Sequence, residues 1–257
     1  DVSHHTLFHR YVALGDSFTE GVGDPDPALP NGVRGWADRV AEVLATLTPD
    51  FGYANLAIRG RVMGEILDTQ IEPALALRPD LVSLYAGGND LLRPRVDLDR
   101  LVAGYAAAAA RLTEAGAHLV LFTGFDLGHA PVFRHLRGRV AVYNEFVREI
   151  ADRNGATLID FWRMRDYRDA RLWSADRLHM STAGHARMAI NVLDRLGVAH
   201  GLALERLAER ARPTRREERA ATRVWAREHL APWVQRRLRG ASSGDGLGAR
   251  RPTLERP

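Results

Sequence analysis

The chain has 257 residues, of which 46% are hydrophobic and 26% charged, and its formal net charge is +4. These proportions are typical of a folded globular protein and exclude a disordered chain, a collagen-like fibre and a coiled coil. The sequence contains no cysteine, which excludes disulfides, thiolate nucleophiles and cysteine-bound metals.

Short apolar runs alternate with longer segments of helical periodicity through the first 200 residues. The runs predicted as strands are 11–14, 53–57, 80–85, 118–122 and 157–160. The segments predicted as helices are 36–47, 62–77, 98–115, 132–153 and 181–196. Strands and helices that alternate in this way form βαβ units, so we expect a parallel sheet with helices on both faces. Ligands of such folds bind beyond the carboxyl ends of the strands.

The composition changes near residue 203, and we divide the chain there. Residues 1–202 carry 22 arginines and 25 carboxylates, whereas the rest of the chain carries 14 arginines and 7 carboxylates. The net charges of these parts are therefore −3 and +7. We interpret 1–202 as the main domain, 203–239 as an arginine-rich helical extension, and 240–257 as a disordered tail rich in Gly, Ser, Arg and Pro.

The extension has helical spacing over 202–212 and 216–239. Its apolar anchors are Trp225, Leu230, Trp233 and Leu238. An arginine-rich segment can bind nucleic acid or an acidic membrane, but Glu209, Glu217, Glu218 and Glu228 interrupt the arginines of this one. We favour a salt-bridged helix that packs its tryptophan face on the main domain, and we expect no nucleic-acid partner.

No run of 18 apolar residues occurs, so we expect no helix that spans a membrane. The first ten residues of the sequence lack the apolar core of a signal peptide, which favours a cytoplasmic protein.

Residue types suited to catalysis follow four of the predicted strands. Ser17 lies in the turn GDSFTEG, Gly60 ends the loop after the second strand, and Asn89 lies in GGND after the third. Asp176 and His179 follow the fifth strand, ahead of the last helix. Each alone is more often structural, as a turn residue, a helix cap or a buried histidine. Their common position at strand ends favours one catalytic site.

These blocks resemble those of the SGNH hydrolases, the GDSL esterase/lipase superfamily. GDSFTEG is similar to the first block of the family, Gly60 to the glycine block, GGND to GxND, and the segment from Asp176 to His179 to DxxH. The resemblance covers about residues 10–198. It implies a three-layer α/β/α sandwich of flavodoxin type with a five-stranded parallel sheet. Phe18 departs from the leucine usual after GDS, which we expect to change packing but not chemistry.

The resemblance implies a role for each block. Ser17 would be the nucleophile, His179 the base that activates it, and Asp176 the carboxylate that orients the imidazole. The backbone amides of Ser17 and Gly60 and the side chain of Asn89 would form the oxyanion hole. No cofactor or metal is required by this chemistry.

We therefore predict a serine hydrolase that cleaves small-molecule carboxylic esters, with short acyl or acetyl groups favoured because no long apolar lid is visible. An acyltransferase that uses the same acyl-enzyme is the alternative. A nucleic-acid or acidic-surface binding protein that acts through the arginine-rich tail is the less favoured reading.

Several other polar residues have competing interpretations. His185 lies in the last helix and competes with His179 as a base, although the DxxH spacing favours His179. Arg59 and Arg93 lie beside motif blocks, where they form surface salt bridges or contact an anionic or sugar part of a substrate. The acidic stretch at Asp24 and Asp26 is expected to be a solvated turn.

Overall fold

The computed structural model describes residues 8–130, 132–207, 209, 214–239 and 242–257. Within these residues, one six-stranded sheet is formed by β1 (Arg10–Gly15), β2 (Gly52–Asn55), β3 (Leu81–Tyr85), β4 (His118–Phe122), β5 (Thr157–Ile159) and β6 (Arg251–Glu255). The strand order is β5-β4-β3-β1-β2-β6. The first five strands are parallel and β6 is antiparallel to β2.

Helices connect the strands. They are α1 (Ser17–Glu20), α2 (Trp36–Leu47), α3 (Met63–Ala76), α4 (Gly88–Leu91), α5 (Leu98–Glu114), α6 (Arg137–Arg153), α7 (Thr182–Leu196), α8 (Arg215–Trp225) and α9 (Ala231–Leu238). None of the helices in the described part of the chain has both the length and the hydropathy needed to cross a bilayer.

The sheet separates two apolar cores because side chains alternate between the faces of each strand. Tyr11 and Ala13 of β1 face the core that contains α2 and α7. Val12 and Leu14 face the core that contains α3, α5 and α6. The protein is therefore the predicted three-layer α/β/α sandwich, and its parallel strand ends all point to one edge.

The strands and helices of the main domain form close to their predicted positions. A larger difference lies at 202–212, where the sequence predicts a helix. Residues 201–207 are not helical, and most of the remainder lies outside the described residues. Leu202 and Leu204 are exposed, so a helix here would lack the packed apolar face that stabilises short helices.

The sheet has six strands and not the expected five, because β6 forms within the tail predicted to be disordered. Pro252 and the charged residues give this segment the composition of a loop. Pro is nevertheless tolerated in an edge strand, where its missing N–H costs no ladder bond.

Arg250 anchors the tail in front of β6. Its side chain is fully buried and forms an ion pair with Asp38 of α2, whose side chain is 2% exposed. The same guanidinium donates to the backbone carbonyls of Val33 at 3.0 Å and Arg34 at 2.7 Å. A segment that reads as a loop is thus held by a buried charge pair with several hydrogen bonds.

The extension forms α8 and α9, which are joined by a π-helical segment, Ala226–Leu230. Pro232 follows this segment and lacks the N–H of a regular turn, which accounts for the widened backbone. Trp225 is 6% exposed and packs against Phe133 and Leu136, so this tryptophan of the predicted face is turned toward the main domain. The side chains of Trp233 and Leu238 lie outside the described part.

We predict that Arg250→Met lowers the free energy of unfolding by about 3 kcal/mol, because it leaves the buried Asp38 carboxylate with only the more distant guanidinium of Arg251, at 3.6 Å. Arg111→Met is the matched control, since Arg111 pairs with Glu72 at the surface with side chains 50% and 68% exposed. We expect the control to lose less than about 1 kcal/mol. Urea unfolding of the two variants measures the difference, and equal losses would contradict the anchoring role of Arg250.

Candidate active site

Four of the predicted blocks meet at the carboxyl edge of the sheet. Ser17 follows β1, Gly60 follows β2 and Asn89 follows β3, and these three strands are neighbours in the order β3-β1-β2. β1 lies between β2 and β3, and the chain passes from β1 first to β2 on one side of it and then to β3 on the other side. The carboxyl ends of these strands therefore form a topological switch point. The loop after β5 brings Asp176 and His179 to the same place.

A tight turn presents Ser17 at the start of α1. Gly15 has φ +144°, and a Cβ there would lie 2.4 Å from the carbonyl oxygen of Tyr85, so only glycine fits. The carboxamide of Gln70 brackets this glycine, accepting from its N–H at 2.8 Å and donating to its carbonyl at 2.9 Å. Asp16 caps α1 by accepting from the backbone N–H of Phe18 at 3.0 Å.

The imidazole of His179 connects Ser17 to Asp176. Its Nε2 lies 3.1 Å from Ser17 Oγ, across 162 positions of sequence, and its Nδ1 lies 2.6 Å from Asp176 Oδ2. An ionised carboxylate only accepts hydrogen bonds, so Nδ1 carries the proton and Nε2 is the acceptor for the serine hydroxyl. This arrangement can remove a proton from Ser17.

The surroundings of Asp176 keep its carboxylate ionised. Burial acts to raise its pKa, but the hydrogen bond and charge of His179 outweigh burial and hold the pKa well below its usual value. The other oxygen, Oδ1, accepts from Ser174 Oγ at 2.6 Å and from the backbone N–H groups of Leu178 and His179 at 2.9 and 3.0 Å. The carboxylate is therefore fixed in orientation as well as in charge.

Glu20, the sixth residue of GDSFTEG, holds the loop that carries Gly60. Its side chain is fully buried and accepts from the backbone N–H of Arg59 at 2.6 Å and from the guanidinium at 2.8 Å. Of the two interpretations of Arg59, the structure therefore has the salt bridge. Gly60 itself has φ +79°, and a Cβ there would lie 2.0 Å from Ser242 Oγ of the tail.

Asn89 ties the blocks together through its carboxamide nitrogen, which donates to Asp16 Oδ2 at 3.1 Å and to the carbonyl of Arg61 at 3.0 Å. The neighbouring Asp90 accepts from the backbone N–H of Met63 at 2.8 Å, at the start of α3. Asp16 and Asp90 thus order the backbone around them.

Three residues of this region escape sequence analysis. Gln70 lies in α3 and carries no local motif, while Trp225 lies in the extension and donates from its indole Nε1 to the carbonyl of Asp176 at 2.7 Å. Glu20 lies in the GDSFTEG block. The one sequence signal of its burial is that a carboxylate stands there between two predicted apolar elements.

His185 is a structural residue. Its fully buried ring accepts at Nδ1 from the N–H of Trp36 at 3.1 Å and lies with Nε2 3.1 Å from the carbonyl of Val22. Burial lowers its pKa to about 4, so the ring is neutral at physiological pH. These hydrogen bonds of His185 join α7 to the start of α2, and neither of them involves Ser17. Arg93 is exposed at the surface beside α4.

Comparisons with known proteins identify the family and the fold. The model of the GDSL-like Lipase/Acylhydrolase family matches residues 13–187. No curated protein matches the chain in a sequence search. Similar solved structures include LAE5, an alpha/beta hydrolase enzyme from the metagenome of Lake Arreo, Spain, at 21% identity and TM-score 0.63 over 75% of this chain and 97% of that one.

Two further structures have the same fold. Axe2, an acetylxylan esterase from Geobacillus stearothermophilus, is 24% identical with TM-score 0.60 over 74% of this chain and 95% of that one. The psychrotrophic esterase EstA from Pseudoalteromonas sp. is 17% identical with TM-score 0.58 over 74% of this chain and 97% of that one.

We predict that His185→Gln reduces the pH dependence of stability. The unfolded chain binds a proton at His185 below its ordinary pKa of about 6.5, whereas the buried ring does not until pH 4 is approached. The wild type therefore loses ~2.5 kcal/mol between pH 7.5 and 4.5 through this group, and the variant does not. Urea unfolding at both pH values measures the effect. If the free energies of unfolding of the two proteins differ by the same amount at pH 7.5 and at pH 4.5, the prediction is contradicted.

Proposed function

Because the chain belongs to the GDSL-like lipase/acylhydrolase family and is a carboxylic ester hydrolase, we propose that it cleaves short-chain acyl or acetyl esters through a covalent intermediate on Ser17. The observation that carries this proposal is the hydrogen-bonded series Asp176, His179 and Ser17, with distances of 2.6 and 3.1 Å.

The first half of the reaction acylates Ser17. A serine hydroxyl is a weak nucleophile until a base takes its proton. As Oγ attacks the ester carbonyl carbon, His179 Nε2 accepts that proton, and the ionised Asp176 stabilises the imidazolium. The tetrahedral intermediate then collapses, and the imidazolium returns the proton to the departing alcohol. Ser17 is left as an acyl ester.

The second half releases the acid. Water gives a proton to His179 and attacks the acyl carbon, and the new intermediate expels Ser17 with that proton. An acceptor alcohol in place of water would give an acyltransferase, which is the alternative that shares every residue of this scheme.

Negative charge forms on the former carbonyl oxygen in both halves. The backbone amides of Ser17 and Gly60 and the amide of Asn89 are the proposed donors to this oxygen. The fixed position of the Gly60 loop by Glu20 supports this role, since preorganised donors need no rearrangement during reaction. Asn89 must share or release one of its two hydrogen bonds to take part.

An aromatic cluster packs behind the nucleophile. The ring of Phe18, next to Ser17, lies 4.4 Å from the ring of Tyr85 and 5.3 Å from that of Phe122, measured between centroids. The ring centroids of Trp36 and Phe161 lie 5.6 and 5.9 Å from that of Phe18. These contacts place Phe18 against the core that contains α2 and α7. The phenylalanine that departs from the family pattern takes part in packing, as expected.

We predict that Ser17→Ala lowers kcat for p-nitrophenyl acetate by at least ~10³-fold, since no other group supplies the nucleophile. Thr46→Ala removes an exposed hydroxyl of α2 and serves as the control with wild-type turnover. Thermal unfolding should leave both variants near the wild type. Wild-type turnover by Ser17→Ala would refute the mechanism.

We expect kcat/KM to fall as the acyl chain of p-nitrophenyl esters lengthens from acetyl through butyryl to decanoyl. The same panel includes acetylated xylo-oligosaccharides, because the similar Axe2 is an acetylxylan esterase. Ser17→Ala gives the background rate. Higher kcat/KM for decanoyl than for acetyl esters would refute the short-chain proposal, and an ester product formed from added alcohol would favour the acyltransferase.

A further inference from the structure

The turn that carries Asp176 and His179 contacts a helix of the extension. The indole Nε1 of Trp225, at the end of α8, donates to the backbone carbonyl of Asp176 at 2.7 Å. The side chain of the same aspartate accepts from His179. One residue therefore receives a hydrogen bond from the extension on its backbone and one from the imidazole on its carboxylate.

The next two residues of the turn also contact α8. The guanidinium of Arg177 lies 5.3 Å from the centroid of the Trp225 ring and donates to Thr222 Oγ1 at 3.3 Å. Leu178 packs in the apolar cluster formed around Trp225, Phe133 and Leu136. Hydrogen bonding, a cation–π contact and apolar packing thus fix three consecutive residues to one helix.

The turn needs such support because its backbone is strained and is not part of a helix or strand. Arg177 has φ +56°, a left-handed conformation that costs free energy for any residue other than glycine. Inside the turn, Arg177 N–H donates to the carbonyl of Ser174 at 3.0 Å, and Oδ1 of Asp176 accepts from the backbone. These bonds set its shape, the antiparallel bridge between Trp173 and Met180 closes its base on the main domain, and Trp225 bonds its outer part to the extension.

We infer that Trp225 is a positioning residue, which holds the Asp176–His179 turn so that the imidazole stays within hydrogen-bond reach of Ser17. This inference rests on the proposed function. Trp225 lies outside residues 13–187, to which the family model is matched. The extension therefore supports a site whose catalytic candidates lie in the family blocks. Because small displacements of reacting groups cost large factors in rate, a loosened turn lowers kcat more than it raises KM.

The test replaces the indole and keeps an aromatic ring. Trp225→Phe removes the N–H donor. Trp162→Phe is the matched control, because the Trp162 ring lies away from the Asp176–His179 turn, on the guanidinium of Arg137 beside the core that contains α3, α5 and α6. For Trp225→Phe we expect kcat for p-nitrophenyl acetate to fall ~5- to 10-fold, the size of one lost hydrogen bond, with KM within about twofold of the wild type. The control keeps the wild-type kcat.

A second replacement separates positioning from folding. Benzothienylalanine at position 225, introduced by nonsense suppression, keeps the size of the bicyclic ring and exchanges the N–H for sulfur. Its kcat should fall as in Trp225→Phe, with an unchanged melting temperature. The downfield proton resonance of His179 Nδ1, which reports the bond to Asp176, should shift or broaden. Wild-type kcat and an unchanged resonance in this protein would overturn the inference.

Covalent labelling distinguishes failure of this inference from failure of the proposed function. A fluorophosphonate probe should label wild-type Ser17 and should not label Ser17→Ala. No labelling of the wild-type protein at Ser17 would refute the proposed function itself. Labelling of wild type and both position-225 variants at one rate would refute the positioning role alone, whereas slower labelling of the variants supports it.

Discussion

The hydrogen bond between His179 Nε2 and Ser17 Oγ depends on two segments that are 162 positions apart in the chain. A parallel sheet makes this possible because every strand delivers its carboxyl end to the same edge. The turn after β1 arrives there from the interior of the sheet, and the loop after β5 arrives from the strand at one edge. Gln70 holds the turn in front of Ser17, and we propose that Trp225 holds the turn that carries His179.

Buried ion pairs with arginine recur where loops must be fixed. Glu20 pairs with Arg59 beside the glycine block, and Asp38 pairs with Arg250 at the tail. Asp24 is 2% exposed and pairs with Arg39, so it is not the solvated turn residue that the sequence suggests. Burial opposes the charge of Asp24, but Arg39 and the backbone N–H of Gly35 outweigh burial and lower its pKa. A guanidinium suits these positions because it can bond a carboxylate and backbone carbonyls at once, as Arg250 does.

The sequence predicts the main domain well because its signals are local. Apolar runs and helical periodicity mark β1 to β5 and the helices between them, and each block at a strand end has a fixed spacing. The support of the site is less accessible, since Gln70 acts on a residue 55 positions away and Trp225 on one 49 positions away. The strand β6 escapes prediction for a similar reason. Its short, proline-containing sequence gains order from β2 and Asp38, which lie about 200 positions earlier.

The antiparallel pairing of β6 also changes what the sheet offers to its surroundings. Without it, β2 would present an open row of backbone donors and acceptors, the kind of border that templates aggregation. The outer border is now a strand with a proline at its second position and charged residues, Arg251 and Glu255, at its ends. Pro252 has no N–H to offer, so a further strand cannot form a complete ladder of hydrogen bonds with this border. β6 therefore makes it harder for a strand of a neighbouring molecule to extend the sheet at this edge.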